Sequence, residues 1–244
     1  MPERLRVGLL LAGYMPDEVA RDNGTYPELF TAMLEPFGID LLTYDLQNDG
    51  APTDLDGADR HDGWVISGSA NSAYEDAQWI RDLEDLCRRL LDRKVPLVGI
   101  CFGHQVLAQA AGGQVQRADV GWGIGVHDYH LTGPRPGWVS EPAPDPVRVV
   151  ASHQDQVVEV PDGAEVFLTS EFCPNAGLVY GTNAFSVQPH PEFTTGVSAG
   201  LLALRRDRIG AELTDEAATT LSHELDSPAV AAWIAAFLHG RTGL

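Results

Sequence analysis

Two textures of hydrophobic spacing divide the chain near its midpoint. In the first part, short continuous apolar runs alternate with stretches of helical period. Leu5–Ala12, Ile39–Tyr44, Gly63–Ile66 and Val95–Ile100 read as strands, the first and last of them buried. Tyr26–Leu34 reads as a helix ended by Pro36 and Gly38. Asp76–Leu91 sets Ile80, Leu83, Leu86, Cys87 and Leu90 on one helical face, which places Cys87 in the core. Gly13–Gly24 and Asp45–Asp62 are polar and predict loops. Strands alternating with helices call for a parallel sheet covered on both sides.

After Gly112-Gly113 the runs shorten and turn signals multiply. Gln114–Ala118, Gly123–Leu131, Val147–Val150, Glu165–Ser170, Gly177–Tyr180 and Ala184–Gln188 predict short strands, with a proline-rich loop over 133–146. This half reads as a partly antiparallel extension of the same sheet. Helices are expected at Thr194–Ile209, Thr214–Glu224 and Pro228–Leu238, the last capped by Ser227 with Pro228 at its first position. No repeat or flexible linker interrupts the chain, so residues 1–244 predict one α/β domain with C-terminal helices from about 194 to 239.

Composition narrows the functional classes. The formal charge is −19, and the acidic residues are spread along the chain, which argues against nucleic acid as a partner. Cys87, Cys101 and Cys173 are an odd set without paired or metal-ligand spacing, as suits a reducing compartment. The first residues show no signal peptide and no run is long enough to cross a bilayer, so a cytoplasmic location with no membrane partner is expected.

Candidate chemistry centres on Val95-Pro-Leu-Val-Gly-Ile-Cys-Phe-Gly-His-Gln105. The apolar run ends at Cys101, Phe102-Gly103-His104 turns, and Gln105–Ala111 has helical character. A thiol between strand and helix is presented on a sharp bend. The helix N-terminus favours its thiolate and faces N–H groups toward a developing oxyanion. Gly99 and Gly103 flank it where side chains would crowd the bend. Late in the chain, Gln188-Pro-His-Pro-Glu192 follows a predicted strand. Its prolines stiffen the backbone around His190, and Glu192, two residues on, aims to the same side of an extended chain. A carboxylate beside an imidazole fixes its tautomer and raises its basicity.

The string Gly-Ile-Cys-Phe-Gly-His-Gln followed late by His-Pro-Glu resembles class I, triad-type glutamine amidotransferases. The resemblance spans nearly the whole chain. It implies a flavodoxin-like three-layer α/β fold, with Cys101 as nucleophile, His190 as base then acid, and Glu192 as its orienting partner. It also implies oxyanion N–H groups at Phe102 and in the loop of Gly68 and Ser69. The family's Ser-Gly-Gly-Pro-like loop reads Ser67-Gly-Ser-Ala70 here, so a positive φ at Ser69 would bring strain. By the same resemblance Gln105, Ser152, Gln154 and Asp155 line the γ-glutamyl pocket. No cofactor or metal is implied.

Ser67-Gly-Ser, Ala73-Tyr74, Trp79 and Ser152-His-Gln-Asp155 further resemble the family's stand-alone branch, which includes proteins like the GMP synthase glutaminase domain and the γ-glutamyl peptidases. No P-loop and no Ser-Gly-Gly-x-Asp-Ser loop marks a built-in synthetase. The expected function is cleavage of glutamine's γ-amide through a thioester, with ammonia passed to a separate synthetase. The alternative is a γ-glutamyl peptidase acting alone, and the third reading is a non-catalytic binding or regulatory subunit. The remaining groups read as structural. His153 is a tempting second base but reads as a satisfied structural histidine, His127 and His130 face opposite sides of a strand, and His61, His223 and His239 stand in loops or at helix ends. His104 supports the elbow, and Cys173 sits in a turn with no base in view.

Overall fold

The computed structural model describes residues 4–56 and 60–240. The expected leader-free start at 1–3, residues 57–59 of the expected 45–62 loop, and 241–244 lie outside the described residues. The first half contains β1 (Leu5–Leu11), α1 (Asp17–Asn23), α2 (Tyr26–Leu34), β2 (Ile39–Asp45), β3 (Gly63–Ile66), α3 (Gln78–Asp92), β4 (Leu97–Ile100) and α4 (Phe102–Ala110). Then come β5 (Gln114–Arg117), β6 (Gly123–Leu131), β7 (Val147–His153), β8 (Asp155–Glu159), β9 (Ala164–Thr169), β10 (Gly177–Tyr180) and β11 (Ala184–Val187). Three helices follow: α5 (Thr195–Ile209), α6 (Ala211–Thr220) and α7 (Ser227–Leu238).

Nine strands form one sheet in the order β2-β1-β3-β4-β11-β10-β9-β6-β7. From β2 to β11 every pairing is parallel, and from β11 to β7 every pairing is antiparallel. The alternation along β1 shows why its apolar run is continuous. Val7, Leu9 and Leu11 join the core under α2, α5 and α7, while Leu10 joins the opposite core under α3 and α4. A strand buried on both faces has no polar side to display. The apolar face expected of α3 is buried, Cys87 included.

Several local expectations are corrected. Residues 17–23 form α1 rather than loop. Asp17 and Glu18 occupy the first turn, where the helix dipole favours acids, and Pro16 O accepts from Val19 N and Ala20 N. The Phe102–His104 segment is not a turn but the first turn of α4, and the bend is confined to Cys101. Asp155–Glu159 is a strand, and it pairs with β5 in a separate two-stranded ribbon rather than extending the main sheet. The cap of α7 falls on Asp226, not Ser227, and the Asp226 carboxylate is taken by Arg148 N at 2.8 Å. That contact ties the last helix to β7.

Candidate active site

Sheet order builds the site. β4 ends at Ile100, and Cys101 takes φ 53° and ψ −102° before α4 begins at Phe102. A positive φ at a non-glycine residue costs free energy and persists only where the surroundings over-determine it. Here they do. A Cβ on Gly99 would lie 2.4 Å from Gly103 O, and one on Gly103 would lie 2.5 Å from Ile66 O. Strand and helix therefore close on each other with no room for side chains, and the bend between them is forced. No backbone carbonyl among the described residues accepts from the Phe102 N–H, which opens at the helix N-terminus beside the thiol.

The neighbouring strand delivers the histidine. β11 runs parallel to β4 with Val187 opposite Ile100, and Cys101 N donates to Val187 O at 2.9 Å. Three residues later, His190 N donates to Val150 O at 2.8 Å, pinning the Pro-His-Pro segment to β7. On one side the imidazole shares the cleft with Cys101, whose charge acts on it. On the other, His190 Nδ1 and Glu192 Oε1 are 2.7 Å apart, and both side chains are almost fully buried. Phe193 stacks on the imidazole at 4.0 Å with an interplanar angle of 6°. Ring orientation is thus fixed by a strand pairing, a carboxylate and an aromatic plate.

Burial opposes a charged His190, but the charges of Cys101 and Glu192 and their hydrogen bonds overcome it and push the imidazole up to about 10. The sign for stability follows from linkage. The folded state holds this proton more tightly than the unfolded state, so the gain is complete below the ordinary histidine value of about 6.5 and is lost as pH rises toward 10. The contribution of His190 to the urea unfolding midpoint is expected to fall as pH rises from about 6.5 toward 10, with a different slope in Cys101→Ala, which removes one of the groups that hold the proton. Equal slopes in the two proteins would dissociate His190 from Cys101.

Gly68 lies over this pair. A Cβ there would sit 2.8 Å from His190 Cε1 and 3.0 Å from Tyr26 Oη. The residue is glycine for space, since neither it nor Ser69 adopts a positive φ. Ser69 is accordingly accommodated without backbone strain. No backbone carbonyl among the described residues accepts from the N–H groups of Gly68 and Ser69.

A cleft of about 770 Å³, counted to its open mouth, lies above the thiol and falls within the size range of small-molecule sites. Gln105, Ser152, Gln154 and Asp155 all line it, as do Ser69, Cys101 and His190. Gln105 Nε2 donates to Asp155 O at 2.8 Å and to Gln188 Oε1 at 3.1 Å, so it braces the β8 loop as well as facing the cleft. Tyr74 donates to Asp155 Oδ1 at 3.2 Å. Phe102 is buried under the elbow against Trp79 and contributes backbone, not side chain, to this region. His153 lines the cleft, but burial drives it down to about 3, so it stays neutral and is no second base. His104 is likewise neutral, driven by burial to about 3, and it holds Ser186 Oγ at 2.7 Å beneath the elbow. Burial pushes the Cys87 and Cys173 thiols up to about 12, leaving neither with thiolate character.

Sequence reasoning missed Tyr26, Arg117, Trp122, Arg205 and Arg208, which complete the cleft wall. They come from α2, β5, the turn before β6, and α5. No local motif marks them. The one available signal was the position of α5 directly after Pro-His-Pro-Glu, which obliges its first turns to pass the cleft.

The family model for glutamine amidotransferase class-I matches residues 19–204. Gamma-glutamyl peptidase 5 of Arabidopsis thaliana is 35% identical over 196 residues, covering 78% of this chain and 77% of that protein. Gamma-glutamyl peptidase 3 of the same plant is 30% identical, with 90% of each chain covered. A GMP synthase [glutamine-hydrolyzing] of Bacillus pumilus is 32% identical over 68% of this chain but only 31% of its own. Among solved structures, a glutamine amidotransferase from Thermotoga maritima superposes with a TM-score of 0.73 at 21% identity, covering 97% of this chain and 99% of that one. This likeness shows a shared fold, the flavodoxin-like α/β arrangement with a mostly parallel central sheet.

Proposed function

Because the chain belongs to the class-I glutamine amidotransferase family, we propose that it hydrolyses γ-glutamyl amides through a thioester on Cys101. The observation that carries this reading is the Cys101 elbow, held at a positive φ on the same cleft as a buried His190 that is itself paired with Glu192. In the proposed cycle the thiolate attacks the γ-carbonyl carbon. The carbonyl oxygen turns toward the Phe102 N–H and an N–H of Gly68 or Ser69. Collapse breaks the C–N bond, and the imidazolium gives its proton to the departing amine. Water then attacks the thioester, His190 takes its proton, and glutamate leaves as Cys101 is regenerated. Glu192 fixes the ring and balances its charge. The γ-glutamyl group itself occupies the pocket of Gln105, Ser152, Gln154 and Asp155. The whole chain acts as one unit, with α5 supplying part of the cleft wall.

Which amine departs separates two finer readings. The GMP synthase relative supports glutamine as substrate, with ammonia passed to a separate synthetase. The peptidase relatives, matched over most of their own length, and the open cleft support a hydrolase acting alone on γ-glutamyl peptides. The second reading fits best, since the match spans 77% and 90% of the two peptidases but only 31% of the GMP synthase. Steady-state rates of the purified chain on glutamine and on γ-glutamyl dipeptides test it. Fast dipeptide turnover with no partner is expected. Weak turnover that rises only when a synthetase is added would favour the ammonia-transfer reading, and no turnover of either substrate would favour the non-catalytic one.

A further inference from the structure

The cleft carries charge that a γ-glutamyl group alone does not balance. The chain has 35 acidic residues against 16 basic ones, and arginines elsewhere, such as Arg4, Arg148 and Arg206, meet carboxylates. Arg117, Arg205 and Arg208 all line the cleft, and none of them meets a carboxylate among the described residues. Three unpaired guanidinium groups in one cleft of so acidic a protein point to an anionic ligand.

The three stand at two depths. Arg205 is partly buried, donates to Ser152 Oγ at 3.0 Å and feels the charge of Cys101. Ser152 is one of the proposed γ-glutamyl contacts, so Arg205 is assigned to that group's own carboxylate. Arg117 and Arg208 are exposed at the mouth, on either side of Trp122. The Arg208 guanidinium lies 5.0 Å from the centre of the indole, and Gln154, with its amide oxygen facing them, accepts from Trp122 Nε1 at 3.0 Å and Arg117 Nη2 at 3.1 Å. Both rim arginines are therefore held by neutral partners that steer them without consuming their charge.

A γ-glutamyl group brings one ammonium and one carboxylate, which Asp155 and Arg205 would balance. The thiolate, imidazolium and carboxylate of the catalytic set carry one further negative charge at the floor, 101 to 192. That leaves the cleft positive at its mouth, on the side where the departing amine must project. Resting on the hydrolase reading, we propose that Arg117 and Arg208 clamp a carboxylate on the leaving amine, so that this enzyme selects γ-glutamyl amino acids and peptides with a free terminal carboxylate over glutamine.

The test compares a γ-glutamyl dipeptide, its C-terminal carboxamide and glutamine. Exposed ion pairs are individually weak, so each rim arginine is expected to contribute about three- to fivefold and the pair about tenfold in kcat/KM for acid over amide. The preference should reside in KM and shrink at high salt. In the double variant Arg117→Gln, Arg208→Gln the acid-to-amide ratio should fall to about one, and Arg208→Lys should recover part of it. Calorimetric binding of the intact acid and amide to Cys101→Ser protein gives a second readout that needs no turnover. Tighter binding of the acid without turnover by the native chain would sink the hydrolase reading and leave the clamp standing. Turnover with equal use of acid and amide, or a double variant that keeps the native ratio, would overturn the clamp and leave the hydrolase.

Discussion

Cys101→Ser is expected to lower kcat/KM on a γ-glutamyl amide by at least about 10⁴-fold, because loss of a nucleophile from a catalytic unit forfeits nearly all that the unit contributes. A serine hydroxyl is a far weaker nucleophile than a thiol, so the near-isosteric change removes nucleophilicity rather than shape. The backbone of the elbow does not depend on sulfur. It is set by the close approach of Gly99 to Gly103 and of Gly103 to Ile66, and by the Cys101 N–H donating to Val187 O. The unfolding free energy of the variant should accordingly stay within about 1 kcal/mol of the native value by urea titration. A large loss of stability would mean that Cys101 is held for packing, and retained turnover would move the nucleophile elsewhere.

The second large effect concerns coupling. His190→Ala should cost about as much as Cys101→Ser, since the thiolate and the proton for the departing amine both depend on the imidazole. Glu192→Gln should cost about 10²- to 10⁴-fold. Glutamine can still accept from Nδ1–H at the 2.7 Å position but brings no charge to stabilise the imidazolium. The double variant Cys101→Ser, His190→Ala should be no worse than the poorer single variant by more than about tenfold, because neither group works without the other. Steady-state kinetics of the three single variants and the double variant measure this. Losses that multiply would separate His190 from Cys101 and dissolve the unit.

What the sequence reveals of this site follows chain locality. Cys101, Gly99, Gly103, His190 and Glu192 are readable because the elbow and the Pro-His-Pro-Glu segment are each completed within a few residues. Strands β1, β3 and β4 are readable because burial on both faces makes each a nearly continuous apolar run, whereas edge strand β2 is mostly exposed. Strand β8 is not, since Asp155-Gln-Val-Val-Glu159 is short, with polar residues at both ends, and becomes a strand only by pairing with β5. Helix α1 is hidden in the same way by its charges, with Val19 alone buried. The arginines of the cleft are invisible for a deeper reason. Arg117, Arg205 and Arg208 meet only where the β5–β8 ribbon and α5, packed over β6 and β7, converge, and no spacing along the chain encodes that meeting. The doubt over Ser69 was likewise settled in space: the loop needs room at Gly68 beside His190, not a left-handed residue after it.

The same spatial logic distinguishes the three cysteines. Cys87 is buried on α3 and Cys173 is buried near the end of β9, each pushed up to about 12 by burial, while Cys101 lines the cleft beside an imidazole. Treating the native protein with an electrophilic γ-glutamyl analogue and locating the adduct by peptide mass spectrometry therefore tests the nucleophile directly. One adduct per chain, on Cys101 and accompanied by loss of turnover, is the expected result; modification of Cys173 in preference, or inactivation with Cys101 unmodified, would contradict it.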